Sequence, residues 1–180
     1  LEWEKIVTRL SRYCERFSIV GGEPLLYDDL PQLCTYMDSK GISYVVSTNG
    51  TLVMKRWVDG FRPRMYSLSI DSLKDNWLDT ASEMKSVVNT ENLKFLHKRG
   101  MRGLISITIG RKNIEEVPTM VEKFGKLGWK VCLNIMQWPK ELVAKGSDCL
   151  EWEDVGRVRG VVDELFKLEA ETATVRESLG

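Results

Sequence analysis

The stretch Ser-Ile-Val-Gly-Gly-Glu-Pro at residues 18–24 decides the fold, because it joins a short apolar strand to an acidic diglycine turn. Gly21 and Gly22 carry no Cβ, so a ligand can approach their main chain closely. Glu23 adds a carboxylate that can accept hydrogen bonds from a ligand amine. Pro24 ends the strand, since proline has no amide hydrogen to donate to a sheet. The pattern predicts a ligand-binding turn, the alternative being a plain tight turn after a strand.

The composition is that of an ordinary globular protein, and we expect a single domain over residues 1–180. Lys plus Arg and Asp plus Glu each number 26, so the formal charge is zero, whereas a general nucleic-acid binder carries a basic excess. The sequence has no apolar run near the roughly 18 residues of a membrane span, and no signal-peptide pattern. We therefore expect a cytoplasmic protein that binds neither nucleic acid nor membrane.

The cysteines lie far apart, which disfavours a local metal motif. They are Cys14, Cys34, Cys132 and Cys149, and none has the short spacing of a zinc or iron–sulfur site. Unclustered cysteines are typical of reduced, mostly buried thiols in a cytoplasmic protein. A disulfide pair is the less favoured alternative.

Apolar residues alternate between strand and helix periodicity along the chain, which predicts right-handed β–α units and a parallel sheet. The predicted strands cover residues 17–20, 43–48, 65–70, 104–109 and 131–136. Helices are predicted over 1–14, from 30 to Gly41, over about 52–61, up to Gly100, behind Asn113 and from about Trp152.

Three details of these helices are also predicted. Asp28 and Asp29 are candidate N-caps, and Asn113 with Glu116 resembles a capping box. The last helix is expected to bury five apolar residues, which are Val155, Val158, Val162, Leu165 and Phe166.

The inner strands carry apolar residues on one face and small polar residues on the other. In the third strand, Tyr66, Leu68 and Ile70 lie on one face and Ser67, Ser69 and Asp71 on the other. In the fourth strand, the two faces carry Ile105, Ile107 and Ile109, and Ser106, Thr108 and Gly110. In the fifth strand, they carry Val131, Leu133 and Ile135, and Cys132, Asn134 and Met136. A filled barrel would have bulky branched residues inside. The small polar face therefore predicts a hollow that holds a ligand, the alternative being a sheet with one face in water.

Polar residues also follow the carboxyl ends of the predicted strands, where barrel and other α/β enzymes place their chemistry. In sequence order they are Gly21-Gly22-Glu23, Asn49-Gly50, Asp71-Ser72, Arg111-Lys112-Asn113 and Gln137-Trp138. We expect these groups to form the functional end of the sheet.

Over residues 1–137 the chain resembles the radical S-adenosylmethionine (SAM) superfamily. The most specific motif is Ser-Ile-Val-Gly-Gly-Glu-Pro-Leu-Leu at 18–26, and weaker motifs follow in order at 47–52, 67–72 and 106–109 with Asn113. The resemblance implies an α/β fold, a partial (β/α)6 TIM-like barrel that is open on one side. The five strands resemble its second to sixth, followed by a C-terminal helix from about residue 151.

The resemblance also implies a chemistry. In the family, a [4Fe–4S] cluster is held by a Cys-x3-Cys-x2-Cys loop, and its fourth iron binds the amino and carboxylate groups of SAM. Reduction by one electron, from a donor such as a flavodoxin or ferredoxin, cleaves SAM into methionine and a 5′-deoxyadenosyl radical. The radical abstracts hydrogen from a small-molecule or peptide substrate, while the protein binds, orients and shields these groups.

The resemblance implies cofactor-binding roles for a set of residues by position. Gly21, Gly22 and Glu23 would contact the methionyl amino group, and Ser47 and Asn49 would lie near the floor of the site. Ser69, with Asp71 nearby, would reach the ribose hydroxyls. Ser106, Thr108 and Asn113 would line the fifth-strand side, and Asn134 or Met136 the adenine side. For all but the first three, a turn or capping role is an open alternative.

Two departures from the family pattern bear on activity. The Cys-x3-Cys-x2-Cys motif is absent, so the chain as written is expected to lack metal ligands and to be inactive in SAM cleavage. We expect the first strand and the cluster loop to precede Leu1. In addition, the loop at 71–85 offers only Lys74 and Lys85 where many relatives have an arginine for the SAM carboxylate.

Two other functions stay open. One is a cluster-free, non-catalytic relative that binds a nucleotide or peptide. The other is an unrelated α/β nucleotide-binding domain, which is disfavoured because neither Gly-x-x-x-x-Gly-Lys-Ser/Thr nor Gly-x-Gly-x-x-Gly occurs in the sequence.

Overall fold

The computed structural model describes residues 2–73, 83–135 and 148–178. The strands are β1 (Arg16–Ile19), β2 (Ser43–Thr48), β3 (Tyr66–Ser69), β4 (Leu104–Ile109) and β5 (Lys130–Ile135). The helices are α1 (Glu2–Leu10), α2 (Leu30–Ser39), α3 (Val53–Val58), α4 (Glu83–Lys98), α5 (Val117–Lys126) and α6 (Val155–Ser178). Short 3₁₀ turns cover Pro24–Leu26, Ile114–Glu116 and Trp152–Asp154.

The strands form one sheet in the order β1-β2-β3-β4-β5, so each strand lies beside its predecessor in the sequence. β1 pairs with β2 and β2 with β3 in parallel, with Ser18 opposite Val45 and Ser47 opposite Ser67. Parallel neighbours need a crossover connection, and α2 and α3 provide these two crossovers. The predicted β–α alternation is confirmed, and each described strand end lies within one residue of its prediction.

Residue contacts divide the chain into two compact units. The first comprises Leu1–Ser69 and Val87–Ile105, and the second comprises Ile70–Ser86 and Ser106–Gly180. The first unit buries apolar side chains from its strands and helices, among them Leu25, Leu30, Met37, Val46, Val53, Tyr66, Leu68, Leu96 and Ile105. The second buries Ile70, Ile107, Ile114, Val117, Met120 and Phe124. The predicted apolar faces of the third and fourth strands thus belong to the core.

The prediction for the last helix is wrong at three of its five positions. Val155, Val162 and Phe166 are exposed, whereas Val161, which was not predicted, is buried. α6 packs on α5, and the buried Val161 lies beside the predicted apolar face of this helix. Valines occupy both faces of this helix, so apolar spacing alone did not identify the one that packs. The predicted apolar face of β5 is likewise only partly covered, because Leu133 and Ile135 are exposed.

The helix-capping predictions are right about the position of Asp29 and Asn113 but not about their hydrogen bonds. Asp29 occupies the N-cap of α2, but its side chain makes no capping hydrogen bond. Asp28 lies before it, and its carboxylate is 3.5 Å from the guanidinium of Arg56. Asn113 precedes a 3₁₀ turn and makes no capping bond there, because its amide bonds the end of β4 instead.

An ionic cluster in the second unit joins the residues after β4 to the start of α6. Asp154 Oδ2 accepts hydrogen bonds from the Glu151 amide at 2.9 Å and from Arg111 Nε at 2.7 Å. Asp154 Oδ1 accepts from Arg157 Nη1 at 2.9 Å. The bonds from the Glu151 amide and Arg111 lower the pKa of Asp154 to about 2, although burial acts in the opposite direction.

The cluster predicts a defined acid dependence of stability. Because the folded pKa of Asp154 is depressed, its ionised form stabilises the folded state above about pH 4, its unfolded pKa, and this contribution is lost as the pH falls to about 2. We expect the Asp154→Asn variant to have a lower free energy of unfolding than the parent at neutral pH. This difference in free energy should narrow as the pH falls from about 4 to about 2. Urea unfolding at a series of pH values measures it. Asp163→Asn, at an exposed position on the following helix α6, is the control and should show no such convergence.

Candidate functional site

Glu23 joins the carboxyl ends of β1 and β2 in the first unit. Its Oε1 accepts hydrogen bonds from Thr48 Oγ1 at 2.6 Å and from the Leu25 amide at 3.0 Å. Its Oε2 accepts from the Asn49 amide at 2.9 Å. The carboxylate therefore has three protein donors and fixes the turn after β1 against the turn after β2. We call this arrangement of Glu23, Leu25, Thr48 and Asn49 the β1–β2 clasp.

The main chain of the diglycine turn is open beside this clasp. Gly21 and Gly22 are exposed, and a Cβ built on either would meet no atom within 4 Å. Gly21 has a φ of 157°, which side-chain-bearing residues rarely adopt. The main chain of these two residues is therefore sterically open.

The turn after β2 is held by its own side chains and by one from α4. Asn49 Oδ1 accepts from the amide and hydroxyl of Thr51, at 2.9 and 2.7 Å. Asn92, which is fully buried in α4, donates from Nδ2 to the Gly50 carbonyl at 2.5 Å. Asn49 thus has the turn-forming role that the sequence left open, whereas the contribution of Asn92 was not predicted.

Serines of the small polar face lie along the strands of the first unit. Ser47 is half-buried, and its Oγ lies 3.5 Å from Ser18 Oγ on β1. Ser67 is buried on β3, and Ser69, at the carboxyl end of the same strand, is exposed. Hydroxyls at these positions can donate and accept hydrogen bonds.

In the second unit, Asn113 joins the residues that follow β3 to the end of β4. Its Nδ2 donates to the carbonyls of Asp71 at 2.7 Å and Thr108 at 2.8 Å, and its Oδ1 accepts from the Gly110 amide at 2.8 Å. Asp71 Oδ1 also accepts from the Thr108 amide at 2.6 Å. Asn113 is fully buried. This group, the β3–β4 clasp, brings together the predicted site residues Asp71 and Thr108.

Glu116 fixes the first residues after Asp71. Its Oε2 accepts from Ser72 Oγ at 2.9 Å and from the Leu73 amide at 3.2 Å. The residue that resembled half of a capping box therefore bonds the loop after β3. Asn134, on β5, donates from Nδ2 to Ser106 Oγ at 2.9 Å, so these two predicted residues are neighbours. The predictions for Lys74, Lys85, Met136 and Gln137-Trp138 lie outside the described residues or side chains.

A short segment beyond β5 covers the end of β4. The Asp148 carbonyl accepts from the Arg111 amide, and Asp148 Oδ1 accepts from the Lys112 amide, both at 2.8 Å. A Cβ on Gly110 would lie 2.6 Å from the Asp148 carbonyl oxygen, a distance that Cβ atoms in proteins essentially never show. Glycine is therefore required at position 110 by this close approach of another part of the main chain.

The four cysteines are free thiols and are divided between surface and interior. Cys14 and Cys132 are exposed, whereas Cys34 and Cys149 are buried, so the expectation of mostly buried thiols holds for two of them. Burial raises the pKa of the Cys34 thiol to about 12, which keeps it protonated at neutral pH. Within residues 2–73, 83–135 and 148–178, no three His, Cys, Asp or Glu side chains are arranged to hold a metal ion. These residues do not fit an iron–sulfur cluster.

Across the described parts of the chain, no helix is both long enough and apolar enough to cross a bilayer.

Comparison with known proteins identifies the family of this chain. A sequence model described as the Radical SAM superfamily matches residues 1–142. The chain is 30% identical over 108 residues to Fe-coproporphyrin III synthase of Methanosarcina barkeri, which covers 57% of this chain and 27% of that protein. It is 26% identical over 136 residues to the S-adenosylmethionine-dependent nucleotide dehydratase of a Thermoplasmatales archaeon, covering 68% and 47%. The chain thus spans less than half of each relative.

A solved structure supports the fold. The structure described as native anSMEcpe with bound AdoMet superimposes with a TM-score of 0.56 at 20% sequence identity, covering 92% of this chain and 50% of that one. The predicted fold class, an α/β partial barrel with parallel strands, is confirmed. With the family match over most of its length, the chain belongs to the radical SAM superfamily.

Proposed function

We propose that this chain is the SAM-binding core of a radical SAM enzyme. The observation that carries the proposal is the exposed, sterically open main chain of Gly21 and Gly22, held in place by the β1–β2 clasp. Peptide carbonyls in this position can accept hydrogen bonds from the methionyl amino group of SAM. Family membership supports the same ligand, and so does the structural similarity to a protein whose structure contains AdoMet.

The hydrogen bonds of Glu23 refine its role in the proposal. Its carboxylate already accepts from three protein donors, so we propose that it orients the diglycine turn and adds negative charge near the ammonium group of SAM. Ser47 and Asn49 would support the same end of the ligand. Ser69 and Asp71 would serve the ribose hydroxyls, and Thr108 and Asn134 would line the remaining sides.

The described residues do not provide a set of ligands that fits the [4Fe–4S] cluster of the family. A complete enzyme would depend on cluster ligands that these residues do not supply. It would be located in the cytoplasm. It would act on a small-molecule or peptide substrate with a one-electron donor such as a flavodoxin or ferredoxin. The second candidate function is a cluster-free module that binds a nucleotide or peptide, which would need no metal ligands from these residues.

A substitution in the open space at Gly22 tests SAM binding directly. Gly22 does not adopt a positive φ, and a Cβ there meets nothing, so Gly22→Val should fold normally and place its side chain where the ligand would lie. We expect the wild type to bind SAM in isothermal titration calorimetry and Gly22→Val to bind at least about tenfold more weakly, because a rigid site tolerates little overlap. The thermal midpoint should change little.

Gly160→Ala is the matched control, because a Cβ at this exposed glycine of α6 also meets nothing. It should leave SAM affinity unchanged. Failure of the wild type to bind SAM, or equal affinity of Gly22→Val, would overturn the proposal. Binding of a nucleotide or peptide without SAM binding would favour the cluster-free module instead.

A further inference from the structure

Arg56 reaches from α3 to the loop that follows the diglycine turn. Its Nε donates to the Leu25 carbonyl at 2.6 Å, and its Nη2 donates to the Tyr27 carbonyl at 3.2 Å. The side chain is only 17% exposed. Asp28 lies 3.5 Å from the same Nη2 but is 98% exposed, so this ion pair contributes little. The two carbonyl bonds are therefore the main contacts of this guanidinium.

Leu25 connects Arg56 to Glu23. Its amide donates to Glu23 Oε1 at 3.0 Å, while its carbonyl accepts from Arg56. Its own side chain is fully buried in the first unit. The peptide groups on both sides of Leu25 are thus fixed by charged side chains, and its position is set by the core. The residue is immobilised two positions after Glu23.

The contacts of Arg56 and Glu23 connect the loop after β1 to both ends of the segment that runs from β2 into α3. Glu23 binds Thr48 and Asn49 at the end of β2, and the following residues lead directly into α3, which carries Arg56. Arg56 then returns to the carbonyl of Leu25. The loop after β1 is consequently held from two sides by one neighbouring β–α unit. A loop held in this way retains little freedom in the absence of ligand.

We propose that Arg56 is a positioning residue that presets the Gly21–Gly22 main chain for the amino-acid end of SAM. This inference rests on the proposed function. A guanidinium is always charged and presents several donors in a fixed plane, which suits two carbonyls of one loop. Fixing a binding loop before the ligand arrives lowers the entropy cost of binding. Arg56 itself touches Leu25 and Tyr27 and acts on the ligand only through the loop.

The affinities for two ligands distinguish this positioning role from a general structural role of Arg56. SAM carries the amino-acid group, whereas 5′-methylthioadenosine has the same nucleoside without it. We expect Arg56→Met to weaken SAM binding about tenfold, as for the loss of a charge-assisted hydrogen bond, while the Kd for 5′-methylthioadenosine stays within about twofold. Arg56→Lys, which keeps the charge but not the fork, should recover part of the SAM affinity. Asp28→Asn is the control and should change neither Kd.

The outcomes distinguish this inference from the proposed function. A wild type that does not bind SAM overturns the proposed function, and the role of Arg56 with it. If the wild type binds SAM, unchanged SAM affinity in Arg56→Met, or equal weakening of both ligands, overturns the inference alone. Circular dichroism reports whether Arg56→Met folds. If Arg56→Met does not fold, the test uses Arg56→Lys instead. A selective loss of SAM affinity in that variant supports the inference, and an equal loss of affinity for both ligands contradicts it.

Discussion

Replacing Glu23 with alanine is expected to lower the free energy of unfolding by about 2–4 kcal/mol and to abolish detectable SAM binding. The substitution removes the acceptor for the Leu25 amide, the Thr48 hydroxyl and the Asn49 amide together. Hydrogen bonds to a charged group contribute about 1.5–3 kcal/mol each, and water can replace part of this loss at a half-buried site. Without the clasp, the turns after β1 and β2 are no longer joined.

Urea unfolding followed by circular dichroism measures the stability term, and calorimetric titration measures the binding. Glu23→Gln keeps one acceptor oxygen but presents an amide group to a neighbouring donor, so it should lie between wild type and alanine. Glu15→Ala removes an exposed carboxylate just before β1 and should change the stability by less than about 0.5 kcal/mol. Equal stability of the Glu23→Ala and Glu15→Ala variants would show that the clasp does not stabilise the fold.

Replacing Asn113 with alanine should destabilise the protein by about 3 kcal/mol. The fully buried side chain makes three hydrogen bonds, and the substitution removes one partner from each of two carbonyls and one amide. Each unsatisfied buried group costs about 1–3 kcal/mol, although local rearrangement recovers part of the total. The measurement is again urea unfolding, with hydrogen exchange of the Gly110 amide as a local probe.

Asn113→Asp tests the polarity of this arrangement. The carboxylate can still accept from Gly110, but it would face the carbonyl oxygens of Asp71 and Thr108, which are also acceptors. We expect it to be at least as destabilising as alanine at neutral pH. Asn134→Ala, at an exposed asparagine with its bond to Ser106, should cost less than about 1 kcal/mol. A loss at Asn113 no larger than at Asn134 would contradict the assigned role.

The strands were predictable because their signal is local. Alternation such as Tyr66, Leu68 and Ile70 against Ser67 and Ser69 depends only on neighbouring residues, and the structure buries the apolar set. Gly21 and Gly22 were predictable for the same reason, since the absence of a Cβ is a property of the residue itself. The positions of the polar strand ends could thus be predicted from short motifs.

Other parts of the site depend on partners distant in sequence. Arg56 meets Leu25 across 31 positions and Asn92 meets Gly50 across 42, and neither residue lies in a recognisable motif. Asn113 was identified, but its spacing to Glu116 indicated a capping box, whereas its actual partners are two strand-end carbonyls and the Gly110 amide. The choice between a local and a distant hydrogen bond is made by the packed chain, so spacing alone could not decide it.

The close approach of Asp148 to Gly110 has a consequence for ligand selectivity. Successive amides after a strand are a common means of recognising phosphate and carboxylate groups. Here the amides of Arg111 and Lys112 are already saturated by the carbonyl and carboxylate of Asp148. An incoming anion would have to displace an acidic residue to reach them. These two amides are therefore not open to an anion while Asp148 holds this position.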